Sequence, residues 1–352
     1  MFFYLSGMKT TLLFLSVSLS ASLFGQNVYI PDANFKAYLV GNSEINTNGD
    51  DEIQVSEAAT FDGDIALADW NITDLTGIES FTALTYLQCD FNQIANLDLS
   101  QNTALEYLTC SYNQLASLNV SQNTALTHLE CYSNQLTSLD VSQNTALIYL
   151  DCSGAQLTTL DVTQNTALIE LYCSSNQITS LDVTQNTALY ELDCGLNQIA
   201  NLDLSQNTAL KYLWCIYNLL VSLDVSQNNA LRYLECSFNQ LTCLNVANGI
   251  NMDWSHFYAL YNPNLTCIEV DDAEWATANW TDYIDPQTSF SEDCNYPENC
   301  DDSSVGITEL TSPKNLIQIL DMMGRETSFK PNTPLIYVYD DGSIEKVFSV
   351  EY

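Results

Sequence analysis

Apolar residues recur along most of this chain with a period of 21 residues. The period runs over residues 84–251, which is eight repeats, and one repeat (residues 105–125) reads LEYLTCSYNQLASLNVSQNTA. Around Leu108 and Cys110, apolar and polar residues alternate. Such alternation is typical of a short strand with one buried face. The sequence therefore predicts one short strand in every repeat.

Each repeat also has a second apolar pair, such as Leu118 and Val120, which marks the return side of a coil. A single coil cannot bury its apolar face alone, so consecutive coils are expected to stack. The strands then form a parallel sheet, and eight coils at ~4.8 Å each span roughly 40 Å. Residues 65–83 are predicted to be a degenerate first coil, so that the solenoid covers residues 65–251.

The repeat pattern L-x-x-L-x-C-x-x-N-x-L resembles the leucine-rich-repeat signature. Its length resembles that of bacterial leucine-rich-repeat surface proteins of the internalin type, over nearly half of the chain. The resemblance implies an α/β-type solenoid rich in β, with a parallel sheet on the concave face. It also implies a surface protein that binds other molecules.

Two columns of asparagine follow the period. Because asparagine tolerates turn backbone angles and its amide can satisfy backbone groups of adjacent coils, both columns are expected to be structural. The first column, interrupted by Ala155, comprises Asn92, Asn113, Asn134, Asn176, Asn197, Asn218 and Asn239. The second column comprises Asn102, Asn123, Asn144, Asn165, Asn186, Asn207 and Asn228.

Eight cysteines also follow the period: Cys89, Cys110, Cys131, Cys152, Cys173, Cys194, Cys215 and Cys236. Equivalent side chains on neighbouring coils point in parallel, which is a poor geometry for disulfides. No CxxC pair or histidine accompanies them, so we predict buried free thiols rather than a metal or redox site.

Outward positions of the predicted strands carry aromatic and acidic residues. Tyrosine and tryptophan offer large contact areas and are favoured at interfaces, so this face is the candidate ligand-binding surface. The predicted site comprises Tyr149, Tyr172, Tyr212, Trp214 and Tyr233, with Asp151, Asp193 and Glu235 among them. The alternative is that these tyrosines are merely good sheet-surface residues whose rings stack on one another.

The chain has 44 acidic and 8 basic residues, for a formal net charge of −36. Nucleic acid is excluded as a partner, because binding to phosphates needs clustered basic residues. The chain has two histidines, which argues against histidine-dependent catalysis and multi-histidine metal sites. Asp151 and Asp193 lie two coils apart, roughly 10 Å, on an open surface. We therefore predict that the protein is not an enzyme.

A further column of Asp and Asn lies on the return side, at Asp98, Asn119, Asp140, Asp161, Asp182, Asp203, Asp224 and Asn245. Stacked like charges repel. The sequence leaves two explanations open, namely screening by water and salt or cations between the coils.

Residues 26–64 are predicted to form an N-terminal helical cap with an EF-hand-like loop. The twelve residues 46–57 match such a loop in outline, with an apolar residue at its eighth position. The candidate calcium ligands are Asn46, Asn48, Asp50, Glu52 (through its carbonyl) and Glu57. Asn at the first position and Asp51, where glycine normally makes the turn, depart from the motif. Calcium here and a metal-free pair of capping helices are both open, and no cofactor is required.

The two ends of the chain carry export features. Residues 1–25 contain Lys9 followed by an apolar run that ends in small residues, which predicts a signal peptide and no transmembrane segment in the mature chain.

Residues 252–294 resemble the closing segment after such repeats in Bacteroidetes proteins, and in it we predict a disulfide between Cys267 and Cys294. Cys243 and Cys300 are expected either to pair or to stay free.

Residues 295–304 are acidic, contain a proline and suit a linker. Residues 305–352 alternate like β-strands, with Asp341 and Gly342 marking a tight hairpin. The stretches ILDMMGRE and IYVYDDGSIEK resemble the C-terminal sorting domain of the type IX secretion system. That resemblance implies a small β-sandwich, contact with the secretion machinery, and a place outside the cell or on its outer surface.

The function expected from these features is adhesion, through recognition of a protein or polysaccharide on the concave face. The alternatives are a structural spacer without a specific ligand and, less favoured, a glycan-active enzyme.

Overall fold

The computed structural model describes residues 25–296, 316–321, 325, 327, 334–339 and 344–348. The chain divides into two compact units, residues 1–301 and residues 302–352. Apart from Gly25, the predicted signal peptide lies outside the described residues, as do most of the linker and the Asp341-Gly342 turn.

The first unit begins with two short helices, α1 (Ala33–Gly41) and α2 (Val55–Thr60). Asp32 caps α1, because its carboxylate accepts hydrogen bonds from the Asn34 and Phe35 N–H groups at 2.9 and 3.1 Å. Phe35 and its neighbour one turn on, Leu39, are fully buried against the core. Nine residues is the greatest length of a described helix, too short to cross a bilayer.

Fourteen strands of three residues follow. They are β1 (Asp64–Ala66), β2 (Tyr86–Gln88), β3 (Tyr107–Thr109), β4 (His128–Glu130), β5 (Tyr149–Asp151), β6 (Glu170–Tyr172), β7 (Glu191–Asp193), β8 (Tyr212–Trp214), β9 (Ser222–Asp224), β10 (Tyr233–Glu235), β11 (Cys243–Asn245), β12 (His256–Tyr258), β13 (Cys267–Glu269) and β14 (Ser289–Ser291). Strands β1–β8, β10 and β12 form one parallel sheet of ten strands, in chain order. On the return side, β9, β11, β13 and β14 form a second parallel sheet. The leucine-rich-repeat solenoid with its parallel sheet is therefore confirmed.

The core follows the periodic apolar positions. In each of β2–β8 and β10 the central leucine is buried, while most of the flanking side chains are half-buried. The eight periodic cysteines are fully buried free thiols, as predicted. Burial raises the pKa of each of these thiols above its usual value, so they behave as small apolar side chains.

Both asparagine columns join neighbouring coils through their amides. In the first column, Asn134 Nδ2 donates to the Cys110 carbonyl of the preceding coil at 3.0 Å and to the Cys131 carbonyl at 3.1 Å. Its Oδ1 accepts from the Leu115 N–H at 2.9 Å. In the second column, Asn144 Nδ2 donates to two carbonyls at 2.9–3.0 Å, one of them 24 residues back. Except at the coil of Ala155, these amides therefore bond each coil to its predecessor on two sides.

The return-side Asp and Asn residues hold their own turns, which neither of the two explanations anticipated. Asp161 Oδ1 accepts from the Thr163 N–H at 2.9 Å and from its hydroxyl at 2.7 Å. These bonds lower the pKa of Asp161, so the ionised form is favoured. The same two-residue contact recurs from Asp98 to Asn245, which explains why an acid or amide stands at this position.

The solenoid ends in a cap that contains helix α3 (Ala273–Trp280). The structure bonds Cys267 to Cys294, with 5.8 Å between their Cα atoms. Cys243 is also disulfide-bonded, and Cys300 lies outside the described residues. The Tyr296 hydroxyl donates to the Leu244 carbonyl at 2.6 Å and so joins the tail of the cap to the return-side sheet.

The described part of the second unit contains strands β15 (Leu316–Asp321), β16 (Pro334–Tyr339) and β17 (Ile344–Phe348). They form one antiparallel sheet in the order β15-β16-β17. Strands β16 and β17 pair as the predicted hairpin requires. A β-sandwich needs a second sheet, so the predicted sandwich stays a prediction.

Ala155 interrupts the first asparagine column and should weaken one coil. Leu115 and Leu157 each donate an N–H to an asparagine Oδ1, but no such side chain receives the Leu136 N–H among the described residues. Ala155→Asn is therefore expected to raise the free energy of unfolding by about 1 kcal/mol. Urea unfolding of the full chain measures this.

Ala155→Asp is the matched control for that substitution, because a carboxylate has the same shape but no donor for the facing carbonyls. It should give no gain in stability. If Asn and Asp prove equally stabilising, the amide does not hold the coils together.

Candidate functional site: the concave face

The concave face comprises the first and third residues of each strand in the ten-stranded sheet. Strand pairing places Tyr149 beside Glu170 and Asp151 beside Tyr172. Because the central leucine points inward, both flanking side chains of a strand point to the same outer side. Large rings and carboxylates of successive coils therefore share one continuous surface.

The predicted aromatic site forms two groups rather than one. The rings of Tyr149 and Tyr172 are 5.5 Å apart. In the second group, Trp214 lies 6.1 Å from Tyr212 and 4.7 Å from Tyr233. Strand β7 lies between the groups and contributes only carboxylates at its outer positions. The sequence-based prediction treated these residues as one patch, although the period already placed Glu191 and Asp193 between the two groups.

The rings also stack along the sheet, as the structural alternative expects. Tyr86, Tyr107, His128 and Tyr149 form a row with centroid distances of 4.7, 5.1 and 6.0 Å. The row therefore stabilises the sheet surface itself. Because the same rings remain half-exposed, this packing leaves one side of each available to a partner.

Asp151 and Asp193 are half-buried carboxylates on this face. The Oδ1 atom of Asp151 accepts from the Ser153 N–H at 2.9 Å, and that of Asp193 accepts from the Gly195 N–H at 3.0 Å. Burial raises the pKa of both carboxyls despite these bonds, and Asp193 adds to the rise at Asp151. Glu130 shows the same direction of shift, chiefly from burial.

Tyr172 stands between acidic neighbours. Glu170 and Glu191 are directly paired across adjacent strands, a repulsive arrangement. The Tyr172 hydroxyl donates to Glu170 Oε2 at 3.2 Å. Burial, followed by the charges of Glu191 and Glu170, raises the pKa of this hydroxyl. The hydroxyl thus relieves part of the repulsion at the centre of the face.

Asp151 and Asp193 lie on strands β5 and β7, and Tyr172 separates them in the pairing. Acid–base catalysis on a glycan needs two carboxyls facing one bond across a defined site. This spacing across an intervening ring does not support such a site.

A second aromatic surface was missed by the sequence reasoning. Phe91 and Tyr112 stack at 4.4 Å, and Tyr217, Phe238 and Tyr261 stack at 4.1 Å per step. All five have positive φ angles, which cost a bulky residue roughly 1–2 kcal/mol. The signal was available, because the first four stand two residues after a periodic cysteine.

At the C-terminal end of the face lies a pocket of about 320 Å³. Its lining includes Trp254, His256, Trp275, Trp280 and Tyr283. The His256 ring is 5.0 Å from Tyr233, so the pocket is continuous with the second aromatic group of the concave face. Sequence reasoning missed it, because helix α3 falls where the period has ended.

The EF-hand-like loop brings most of its candidate ligands together. Asn48 Nδ2 donates to Asp50 Oδ2 at 3.0 Å, and the Glu57 carboxylate accepts from the Asn48 N–H at 3.2 Å. Asn46 is buried and donates to the Asp50 carbonyl at 2.7 Å. The Glu52 side chain points elsewhere and pairs with Lys36 at 2.7 Å, which leaves its carbonyl as the candidate ligand.

Hydrogen bonds already engage the side-chain oxygens of this loop. Asp50 Oδ1 accepts from the Glu52 N–H at 2.8 Å, and Glu57 Oε2 accepts from the Gln54 N–H at 3.0 Å. No group of three or more His, Cys, Asp or Glu suited to a metal occurs among the described residues. A calcium ion would have to replace several of these bonds, and calcium at this loop stays a prediction.

Stacked short coils, a ten-stranded parallel sheet and a buried cysteine column define the class of this protein as a leucine-rich-repeat solenoid. It is similar to the functional domain of InlJ from Listeria monocytogenes, a structure that includes a cysteine ladder. The identity is 39%, with a TM-score of 0.57, over 70% of this chain and 58% of that one. Internalin J of L. monocytogenes serotype 4b (strain F2365) is 45% identical over 76 residues, which are 22% of this chain and 8% of that protein.

The internalin InlF of L. monocytogenes shows the fold alone, with 19% identity and a TM-score of 0.53 over 74% of this chain and 91% of that one. No family model matches the chain. The chain is thus an internalin-like leucine-rich-repeat protein. It spans 58% of the solved InlJ domain and matches only a small part of the curated Internalin J.

Asp151→Asn/Asp193→Asn is expected to raise the melting temperature at pH 7. A raised pKa in the folded state means that ionisation of these carboxyls destabilises the fold. Asparagine keeps the Oδ1 acceptor without the charge. The gain should shrink as the pH falls through the folded pKa and vanish below the ordinary value of about 3.9, where the carboxyls are protonated in both states.

Asp161→Asn/Asp182→Asn removes the same charge from the return side and serves as the control. Hydrogen bonds lower the pKa of these two carboxyls, so this variant should show no gain at pH 7. Calorimetry of both variants between pH 4 and pH 7 decides the matter. A loss of stability at neutral pH in the Asp151/Asp193 variant would contradict the expected sign.

Proposed function

We propose that this chain is a surface-exposed or secreted adhesion protein that recognises a protein partner through its concave face. The observation that carries the proposal is where the sequence varies. Core leucines, cysteines and asparagines repeat almost unchanged, whereas the outward strand positions differ from coil to coil. A spacer needs only the repeated frame.

The outward residues also have the chemistry of an interface. Tyrosine and tryptophan are enriched among the residues that contribute most to protein–protein binding. Tyr149, Tyr172, Tyr212, Trp214 and Tyr233 supply five such rings, flanked by Asp151, Asp193 and Glu235. The sheet is open and extended, which suits a protein surface better than a small molecule.

Export is part of the same proposal. The signal-like residues 1–25 and the resemblance of residues 305–352 to a type IX sorting domain support passage out of the cell, with the secretion machinery as the partner of the tail. The similarity to InlJ and Internalin J, which are named as internalins, supports the proposed location outside the cell.

Tyr172→Ala/Trp214→Ala tests the proposal. Partners are first identified by screening the full chain against purified extracellular proteins and polysaccharides. The double variant should then bind its protein partner at least tenfold more weakly, because two interface rings are lost. Surface plasmon resonance measures the affinity, and circular dichroism verifies the fold.

Tyr29→Ala/Trp70→Ala is the matched control, since these rings are 75% and 42% exposed, the first on the N-terminal cap and the second on the first coil. It should retain full binding. If both double variants bind like the parent, recognition does not use the concave face and the spacer alternative gains support. Selective binding of a polysaccharide alone would contradict the proposed partner class.

A further inference from the structure

We infer that the partner presents an extended, arginine- or lysine-rich protein segment that lies across strands β4–β8 and β10 of the concave face. The inference rests on the proposed function and names the chemistry of its partner. Two observations support it. The sheet combines aromatic rings with carboxylates that have no ion-pair partner among the described residues, and a ring of the sheet already contacts a lysine of this chain.

The first step is the charge balance of the sheet. Strands β4–β8 and β10 carry six outward carboxylates: Glu130, Asp151, Glu170, Glu191, Asp193 and Glu235. No described residue forms an ion pair with any of them. The solenoid contains only two basic residues, Lys211 and Arg232, and both precede a strand rather than occupy its outward positions. A cationic partner would supply the missing counter-charges.

The second step is that these charges lower the stability of the folded sheet. Glu170 and Glu191 face each other directly, and burial raises the pKa of Asp151 and Asp193. Glutamine or asparagine would remove the repulsion and keep the shape. Natural proteins commonly retain such destabilising groups where function needs them.

Lys211 provides the third step, because it shows how rings of this solenoid receive a cation. Its Nζ lies 5.5 Å from the Tyr190 ring centroid and 5.3 Å from that of Tyr212, a residue of the concave face. Distances below about 6 Å are those of cation–π contacts. Arginine stacks on aromatic faces even more readily than lysine does.

Spacing supplies the fourth step. Asp151 and Asp193 are two strands apart, roughly 10 Å, with the Tyr172 ring between them. An extended segment in the polyproline II conformation has three residues per turn and rises about 3.1 Å per residue, so every third side chain faces the same way after roughly 9 Å and can meet the next carboxylate. A segment with cationic side chains at such intervals would place its positively charged groups on the carboxylates. The aliphatic part of each cationic side chain would then lie on the aromatic rings.

The experiment uses the full chain and a labelled twelve-residue peptide with arginine at every third position and glycine or serine between. A second peptide carries citrulline, the neutral analogue of arginine, at the same positions. Fluorescence anisotropy should show binding of the arginine peptide at least tenfold tighter than that of the citrulline peptide. Chelator should leave the affinity unchanged, which excludes a bridging metal.

Asp151→Asn/Asp193→Asn should weaken binding of the arginine peptide at least tenfold. Asp161→Asn/Asp182→Asn should change it less than twofold, although it removes the same net charge from the return side. Equal losses in both variants would reduce the effect to overall charge and overturn the inference. Failure of the arginine peptide to bind, or equal binding of the citrulline peptide, would overturn it as well.

The inference and the proposed function fail in different ways. If the identified partner loses binding to Tyr172→Ala/Trp214→Ala but not to Asp151→Asn/Asp193→Asn, the concave face recognises its partner without a cationic segment. If neither variant affects that partner, the proposed function fails too.

Discussion

The structure depends on one repeated interaction, the asparagine amide that crosses from one coil to the previous one. Asn134 and Asn144 show its two forms. Asn134 donates to the Cys110 carbonyl, and Asn144 donates to the Val120 carbonyl, which also accepts the Asn123 N–H. Buried carbonyls without a donor are costly, so the position tolerates little change. The amides of the second column have their own cost, because Oδ1 atoms such as that of Asn144 lack a donor among the described residues.

This constraint separates the residues that build the protein from those that can serve recognition. Leucine, cysteine and asparagine side chains point into the coil and repeat. The side chains at the two outward positions of each strand do not pack in the core of the coil. The concave face uses that freedom for rings and carboxylates, such as Tyr172 beside Glu170. Stacked rings stabilise the surface, whereas clustered carboxylates oppose it, so the acids are the better indication of selection for binding.

Periodicity predicted most of the solenoid and failed where it ended. A 21-residue repeat determines which side each residue occupies, so the burial of Cys110 and the outward direction of Tyr149 followed from position alone. Helix α3 and the hydrogen bond from Tyr296 to β11 belong to the C-terminal cap, where the 21-residue repeat has ended. No local sequence pattern predicted them. Phe238 and its stacked neighbours were missed because a bulky residue with positive φ looks, in sequence, like any exposed loop residue.

The asparagine contacts also bear on how such a protein changes in evolution. Each amide reaches a carbonyl 21 or 24 residues back, and both distances are set by the coil rather than by its place in the stack. One coil can therefore be duplicated or deleted whole while every neighbour still finds its bonding groups. Coil number becomes a variable that recombination between near-identical repeats can alter in a single event. The reach of the concave face can thus lengthen or shorten in steps of ~4.8 Å without a new fold.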